Sequence, residues 1–186
     1  MLRGKFYING KWVLSSPHKT FDNLNPATGK SIGKYQAGTK KEVEKAVNAA
    51  EKALLSWKKI PAPRRAEILF ETAHLLKKHK ERLAKIEVIE MGKVIKEAQG
   101  DVQEAIDIFE YMAGEGRRLF GYTTPSELKN KLCMTMRQPL GIVGIITPWN
   151  FPIAIPAWKI APALICGNSI VFKPSSDTPQ SAIELV

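Results

Sequence analysis

The sequence predicts an α/β protein in which a helical layer precedes the start of a parallel-sheet core, with short β-ribbon segments added. Two apolar runs, GIVGIIT (141–147) and SIVF (169–172), enclose the helix-compatible segment WKIAPALICGN (158–168). Apolar strands joined through a helix pair in parallel, are buried on both faces and cross over right-handed. Upstream, three long segments repeat apolar residues at the helical period, and β signals are confined to short stretches.

The chain opens with FYINGKWV (6–13), a hairpin whose Asn9-Gly10 pair suits a primed turn between Tyr7, Ile8 and Trp12, Val13. NLNPATGKSIGKYQAG then carries a turn at Pro26-Ala27-Thr28-Gly29 and one further short strand. Thr39 stands three residues before Glu42, a capping box, and the helix it opens places Val43, Val47, Ala50 and Leu54 on its apolar face. Pro61 and Pro63 break that helix. The longer one after them puts Ile68, Leu69, Leu75, Leu76 and Leu83 on its apolar side and ends at Gly92. A third helix is expected over residues 94–120, passing Gly100 and stopping before the turn at Gly121. LCMTMRQP (132–139) changes to period two and closes on Pro139, the pattern of an exposed ribbon strand. Strand, helix and strand follow, and a last helix opens at Asp177-Thr178-Pro179. Only two parallel strands precede Val186, fewer than a doubly wound sheet normally uses, so the chain is expected to be the front part of a longer protein.

Composition narrows the function classes. With 186 residues and 44% hydrophobic content the chain can bury a core. It has no apolar run of membrane-spanning length and no signal-peptide pattern at its N-terminus, which predicts a cytoplasmic protein without a membrane partner. Cys133 and Cys166 lie in unlike contexts, so neither a disulfide framework nor a metal site is expected. The formal charge of +10 would suit a polyanion partner if it were clustered. It is dispersed instead, and its densest run, LLKKHKERLAK (75–85), alternates with apolar positions as a solvated helix face does, so no nucleic acid is expected.

In open parallel sheets ligands bind beyond the carboxyl ends of the strands. Two polar clusters fall there, Thr147 to Asn150 after the first strand and Lys173 to Ser176 after the second. An amide such as Asn150 can donate to charge developing on an oxygen, or it can cap the helix starting near Pro152. Lys173 can meet an anionic or hydroxyl-rich ligand, or simply be solvated. Cys166 and Cys133 have no neighbouring His in the sequence and read as inert small residues. His18, His74, His79 and Glu184 match no catalytic pattern.

TPWNFP, followed by PAWKIAPALICGNSIVFKPSSDTPQSA, resembles the signature of the NAD(P)-dependent aldehyde dehydrogenase superfamily. The resemblance extends back through EMGK, SWKKIPAPRRAEILF, the NPATG turn and FYINGKWV, so that five segments agree in order and spacing. It implies a Rossmann-like cofactor-binding domain, although no GxGxxG fingerprint is present. It divides the chain into an N-terminal hairpin and helical layer (1–121), an oligomerisation ribbon (122–139) and the first strand-helix-strand-helix of the cofactor-binding core (140–186).

By the same resemblance, Asn150 is the oxyanion-hole residue that stabilises a thiohemiacetal oxygen. Lys173 serves the adenosine ribose of the cofactor. Pro148 and Trp149 line the cleft, Ile146 packs near the adenosine half, and Thr147, Ser175 and Ser176 complete the cofactor-binding set. Ser176 departs from the Glu that many NAD-preferring relatives carry, which implies NADP or NAD with a preference for NADP; Asp177 could oppose that preference by turning inward. The family's nucleophilic Cys and general-base Glu lie in segments that this chain lacks. The expected activity is oxidation of a small aldehyde to a carboxylic acid by a homodimer or homotetramer of the complete enzyme, this chain alone being inactive. A non-catalytic interaction or binding module is the alternative.

Overall fold

A computed structural model describes residues 2–16 and 19–186; His18 lies outside the described residues. The chain begins with three short strands, β1 (Leu2–Gly4), β2 (Phe6–Ile8) and β3 (Lys11–Val13). β2 and β3 form the expected hairpin, and Asn9 (φ 52°) with Gly10 (φ 73°) supplies its two left-handed positions. β4 (Thr20–Leu24) and β5 (Ser31–Gln36) pair antiparallel across the NPATG turn, and β1 adds to β5 in parallel. Sequence reading found only one strand in this stretch, because β4 has too little apolar alternation to announce itself. Gly4 is obligatory here, since a Cβ would fall 2.0 Å from the buried Tyr35 ring.

Three helices form the layer: α1 (Lys40–Trp57), α2 (Ala62–Met91) and α3 (Ile95–Glu115). The capping box at α1 is present, with the Glu42 carboxylate accepting from the Thr39 N–H at 3.0 Å. Two expectations about apolar faces need correction. On α1, Ala50 is buried and Leu54 half-buried, but Val43 and Val47 are exposed. On α2, Leu69, Leu76 and Leu83 are buried whereas Ile68 and Leu75 face outward. The alanines explain this: Ala66, Ala73, Ala84, Ala98, Ala105 and Ala113 let α2 and α3 approach closely, so the contact stripe is narrower than hydrophobicity suggests. The third helix also stops at Glu115 and not at Phe120. A Cβ on Gly116 would meet Ala66 Cβ at 2.7 Å and the Ala62 carbonyl at 2.9 Å, so the helix ends where it crosses the start of α2.

In the ribbon only β6 (Thr123–Thr124) and β7 (Cys133–Met134) pair, antiparallel. The strand expected across 132–139 is therefore mostly irregular, and Tyr122, Leu128, Leu132, Met134 and Met136 are all exposed. The core follows as β8 (Ile142–Ile146), α4 (Ala154–Ile165), β9 (Ser169–Lys173) and α5 (Pro179–Leu185). β8 and β9 pair in parallel, as expected. They are not buried on both faces: Ile145 is buried, while Ile142, Gly144 and Ile146 are exposed.

α4 packs against α2 and α3 through Ile153, Ala157, Ala161 and Ile165. Its end is closed by the helical layer. Trp57 Nε1 donates to the Leu164 carbonyl at 3.2 Å, and Arg65 Nε and Nη2 donate to the Ile165 carbonyl at 3.0 and 2.8 Å. Carbonyls at a helix end lack intrahelical partners, and a cation there also complements the helix dipole. Gly167 (φ 87°) then lets the chain turn beneath Arg65 into β9.

Candidate active site

Ile146 and Lys173 are register partners at the carboxyl ends of β8 and β9, and the Thr147 N–H donates to the Lys173 carbonyl at 3.3 Å. The segments 147–150 and 173–176 thus leave the same edge of the sheet. Thr147 is buried, and its hydroxyl has no partner among the described residues. Pro148 and Asn150 are exposed, Trp149 is half exposed, and Ile146 stands open with 76% of its surface accessible. Lys173 is exposed and forms no ion pair among the described residues.

Ser175 and Asp177 bond to one another. The Ser175 hydroxyl donates to Asp177 Oδ2 and accepts from the Asp177 N–H, both at 3.2 Å. The Asp177 carboxylate is therefore turned back onto its own turn, and Ser176 is exposed between them. A cleft of about 420 Å³ lined by Leu54, Lys58, Lys59, Pro139 and Gly141 lies at the opposite, amino-terminal end of β8.

The Asn150 amide has no hydrogen-bond partner among the described residues. The capping role open to it in the sequence belongs to Asp101, whose Oδ1 accepts from the Ala154 N–H at 2.6 Å at the start of α4. Asn150 is instead held through its backbone. Lys93 Nζ donates to the Asn150 carbonyl at 2.9 Å, pairs with Asp101 Oδ2 at 3.1 Å and sits 4.1 Å from the centroid of the Phe151 ring.

Lys93, Asp101 and Glu87 are the residues that sequence reading missed. EMGK was visible as a segment, but a Lys just after a helix-ending glycine is usually solvated. Here Gly92 (φ 80°) abuts Pro26 of the NPATG turn and sends Lys93 inward, leaving its side chain 7% exposed. The carboxyl of Glu87, 3.8 Å from Lys93 Nζ, is fully buried and accepts no hydrogen bond among the described residues. Burial first and the neighbouring Asp101 second push its pKa up to about 9. It holds a proton at neutral pH, which Asp101 can accept. Burial also raises Asp101, against the Ala154 N–H and Lys93, which favour its charged form. One cation thus faces two buried carboxyl groups. Glu90, of the same EMGK segment, accepts from the Gln180 and Ser181 N–H groups at 2.6 and 2.8 Å and so closes the start of α5.

Cys166 is half-buried against the helical core and Cys133 is exposed on the ribbon. Among the described residues no group of acidic, His and Cys side chains could hold a metal ion, and no helix is long and apolar enough to cross a membrane.

Residues 12–186 match the model of the aldehyde dehydrogenase family. The chain is 43% identical over 181 residues to malonate-semialdehyde dehydrogenase 1 of Geobacillus kaustophilus, covering 97% of this chain and 37% of that protein. It is 41% identical over 178 residues to D-glyceraldehyde dehydrogenase (NADP(+)) of Thermoplasma acidophilum, covering 96% and 36%. Among solved structures, a point variant of betaine aldehyde dehydrogenase from Staphylococcus aureus, in complex with NAD+, superimposes with a TM-score of 0.96 at 35% identity, covering 100% of this chain and 38% of that one. The chain therefore spans a little over a third of the length of these relatives. With this match across the hairpin, the helical layer and the β8–α4–β9–α5 core, which makes the core Rossmann-like, the chain belongs to the aldehyde dehydrogenase family.

Proposed function

We propose that this chain forms the oxyanion-binding and adenosine-binding part of an enzyme that oxidises a small aldehyde to a carboxylic acid with NADP or NAD. The observation that carries the reading is that two donors without a side-chain partner among the described residues, the Asn150 amide and the Lys173 ammonium, lie at or just beyond the ends of two strands held in register at one sheet edge. The relatives named above carry semialdehyde, glyceraldehyde and betaine aldehyde in their names, with NADP(+) or NAD+ in two of them.

In the proposed reaction a thiolate supplied from outside residues 1–186 adds to the aldehyde carbon, and the carbonyl electron pair moves onto oxygen. Asn150 donates its amide N–H to that oxygen and holds the thiohemiacetal anion. Loss of a hydride from the former carbonyl carbon re-forms its double bond to oxygen and leaves a thioester, and the cofactor, when bound, would supply the two-electron acceptor for that hydride. Water then cleaves the thioester, releasing the acid and regenerating the thiolate.

The residues present fit the cofactor. Lys173, without an ion pair among the described residues, offers a cation to ribose or phosphate oxygens, Ile146 and Pro148 offer exposed apolar surface, and the buried Thr147 hydroxyl has no partner among the described residues. Trp149 and Ser175 follow these residues on the two segments that leave the sheet edge. Ser176 adds a neutral hydroxyl and no repelling charge, which favours NADP. The domain division at 121/122 and 139/140 belongs to the same proposal. The exposed apolar ribbon over 122–139 would pair with a second subunit in a cytoplasmic homodimer or homotetramer.

The test is nicotinamide reduction by the full gene product carrying this chain, with a panel of small aldehydes. Asn150→Ala is expected to lower kcat by roughly 10²–10³-fold. An unchanged kcat would overturn the assignment. The isolated 186-residue chain is expected to give no turnover.

A further inference from the structure

We propose that Lys93 is a positioning residue that orients Asn150, by gripping the Asn150 carbonyl and the Phe151 ring from the helical layer. The proposal rests on the oxyanion role of Asn150 given above. Because the Asn150 amide has no hydrogen-bond partner among the described residues, what the helical layer fixes is its backbone, and with it the Cα position and the Cα–Cβ direction from which the amide reaches.

That backbone is held at successive points by two side chains from the helical layer. Lys93 takes the carbonyl of Asn150 at 2.9 Å and covers the Phe151 ring at 4.1 Å, and Asp101 takes the Ala154 N–H at 2.6 Å. Lys93 and Asp101 are themselves bonded at 3.1 Å, so the turn over 150–154 is clamped by one rigid unit. A solvated lysine could not do this, but one enclosed by Glu87, Asp101 and Phe151 has a single well-defined position. Displacing a reacting group by about 1 Å costs on the order of 10²-fold in rate, so loosening this clamp should register in turnover.

Lys93→Met keeps the aliphatic stem and removes the donors and charge. Asp101 still has the Ala154 N–H, and the buried Glu87 proton, as donors. Should this variant fail to fold, Asp101→Asn keeps the Oδ1 acceptor for Ala154 while removing the charge that holds Lys93.

Two measurements test the proposal. In hydrogen exchange on this chain, the amides of Ala154 and Ile155, which donate to Asp101 and to the Phe151 carbonyl, are expected to exchange at least about tenfold faster in Lys93→Met, with residues 95–115 unchanged and Lys93→Arg restoring protection. Unchanged exchange at Ala154 and Ile155 overturns the proposal whatever the activity. In the full gene product, Lys93→Met is expected to lower kcat about 10- to 100-fold, with cofactor KM within about threefold of wild type. In an Asn150→Ala background the same substitution should lower kcat by less than about twofold, because its effect passes through Asn150. Full, multiplicative losses in that background would make Lys93 a general structural residue and overturn the proposal. Faster exchange combined with an inert Asn150→Ala would instead show that the clamp is real and that the oxyanion reading is wrong.

Discussion

Ile146 and Lys173 face one another as the last register pair of the parallel β8–β9 ladder, and every residue assigned to the cofactor lies within four positions of one of them. Parallel pairing with no register shift brings the two polar segments to one edge. The ammonium of Lys173 and the hydroxyl of Ser176 consequently belong to one surface, with Asp177 tied back onto Ser175.

Cofactor choice should follow from that surface. Ser176→Glu is expected to lower the ratio of kcat/KM for NADP to that for NAD by at least about fivefold, since two like charges roughly 4 Å apart repel by about 1 kcal/mol even in water. An unchanged ratio, measured with one aldehyde and both cofactors, would remove Ser176 from the cofactor set.

Glu87 makes a prediction about pH. Its folded pKa of about 9 lies above its ordinary value of 4.5, so the native state binds more protons than the unfolded chain between those values. Its contribution is fully present below pH 4.5 and is lost as pH rises toward 9. Asp101 on α3, Lys93 after α2 and Glu90 on α2 are the charged neighbours that share this titration. Glu87→Gln should therefore flatten the fall in denaturant midpoint between pH 6 and pH 9. A wild-type midpoint that rises over this interval would contradict a buried acid whose pKa is raised on folding.

Glu90 joins three elements, accepting from Asn23 on β4 and from the Gln180 and Ser181 N–H groups of α5. Hydrogen bonds to a charged group contribute about 1.5–3 kcal/mol each, and here the cost of burying the carboxylate offsets part of that. Glu90→Ala is expected to destabilise by about 2–4 kcal/mol, read as a lower denaturant midpoint at constant m-value. A change below about 0.5 kcal/mol would mean that α5 does not depend on this cap.

Gly92→Ala tests the turn that delivers Lys93. The position has φ 80°, and a Cβ would lie 2.9 Å from Pro26 Cγ. Left-handed backbone alone costs a non-glycine residue about 1–2 kcal/mol, and the contact with Pro26 adds to it. The variant should be destabilised by more than about 1 kcal/mol and should share the faster exchange at Ala154 and Ile155 predicted for Lys93→Met.

Much of the fold was legible because it is local. The Asn9-Gly10 hairpin, the Thr39/Glu42 capping box, the stop at Gly92 and the strand-helix-strand-helix order each depend on residues a few positions apart. The same locality made the candidate site visible, since its residues follow directly on two apolar strands. Tertiary structure decided what spacing cannot carry. It chose which apolar side chains of α1 and α2 are buried, because the close approach of alanine-lined helices narrows the contact stripe. It ended α3 at Glu115, where Gly116 meets α2. It also brought Lys93 to Asn150 across 57 positions and Glu90 to Ser181 across 91. Contacts of that separation exist only once the helical layer has packed onto the core, where buried charge must find a partner and neighbouring backbone groups supply one.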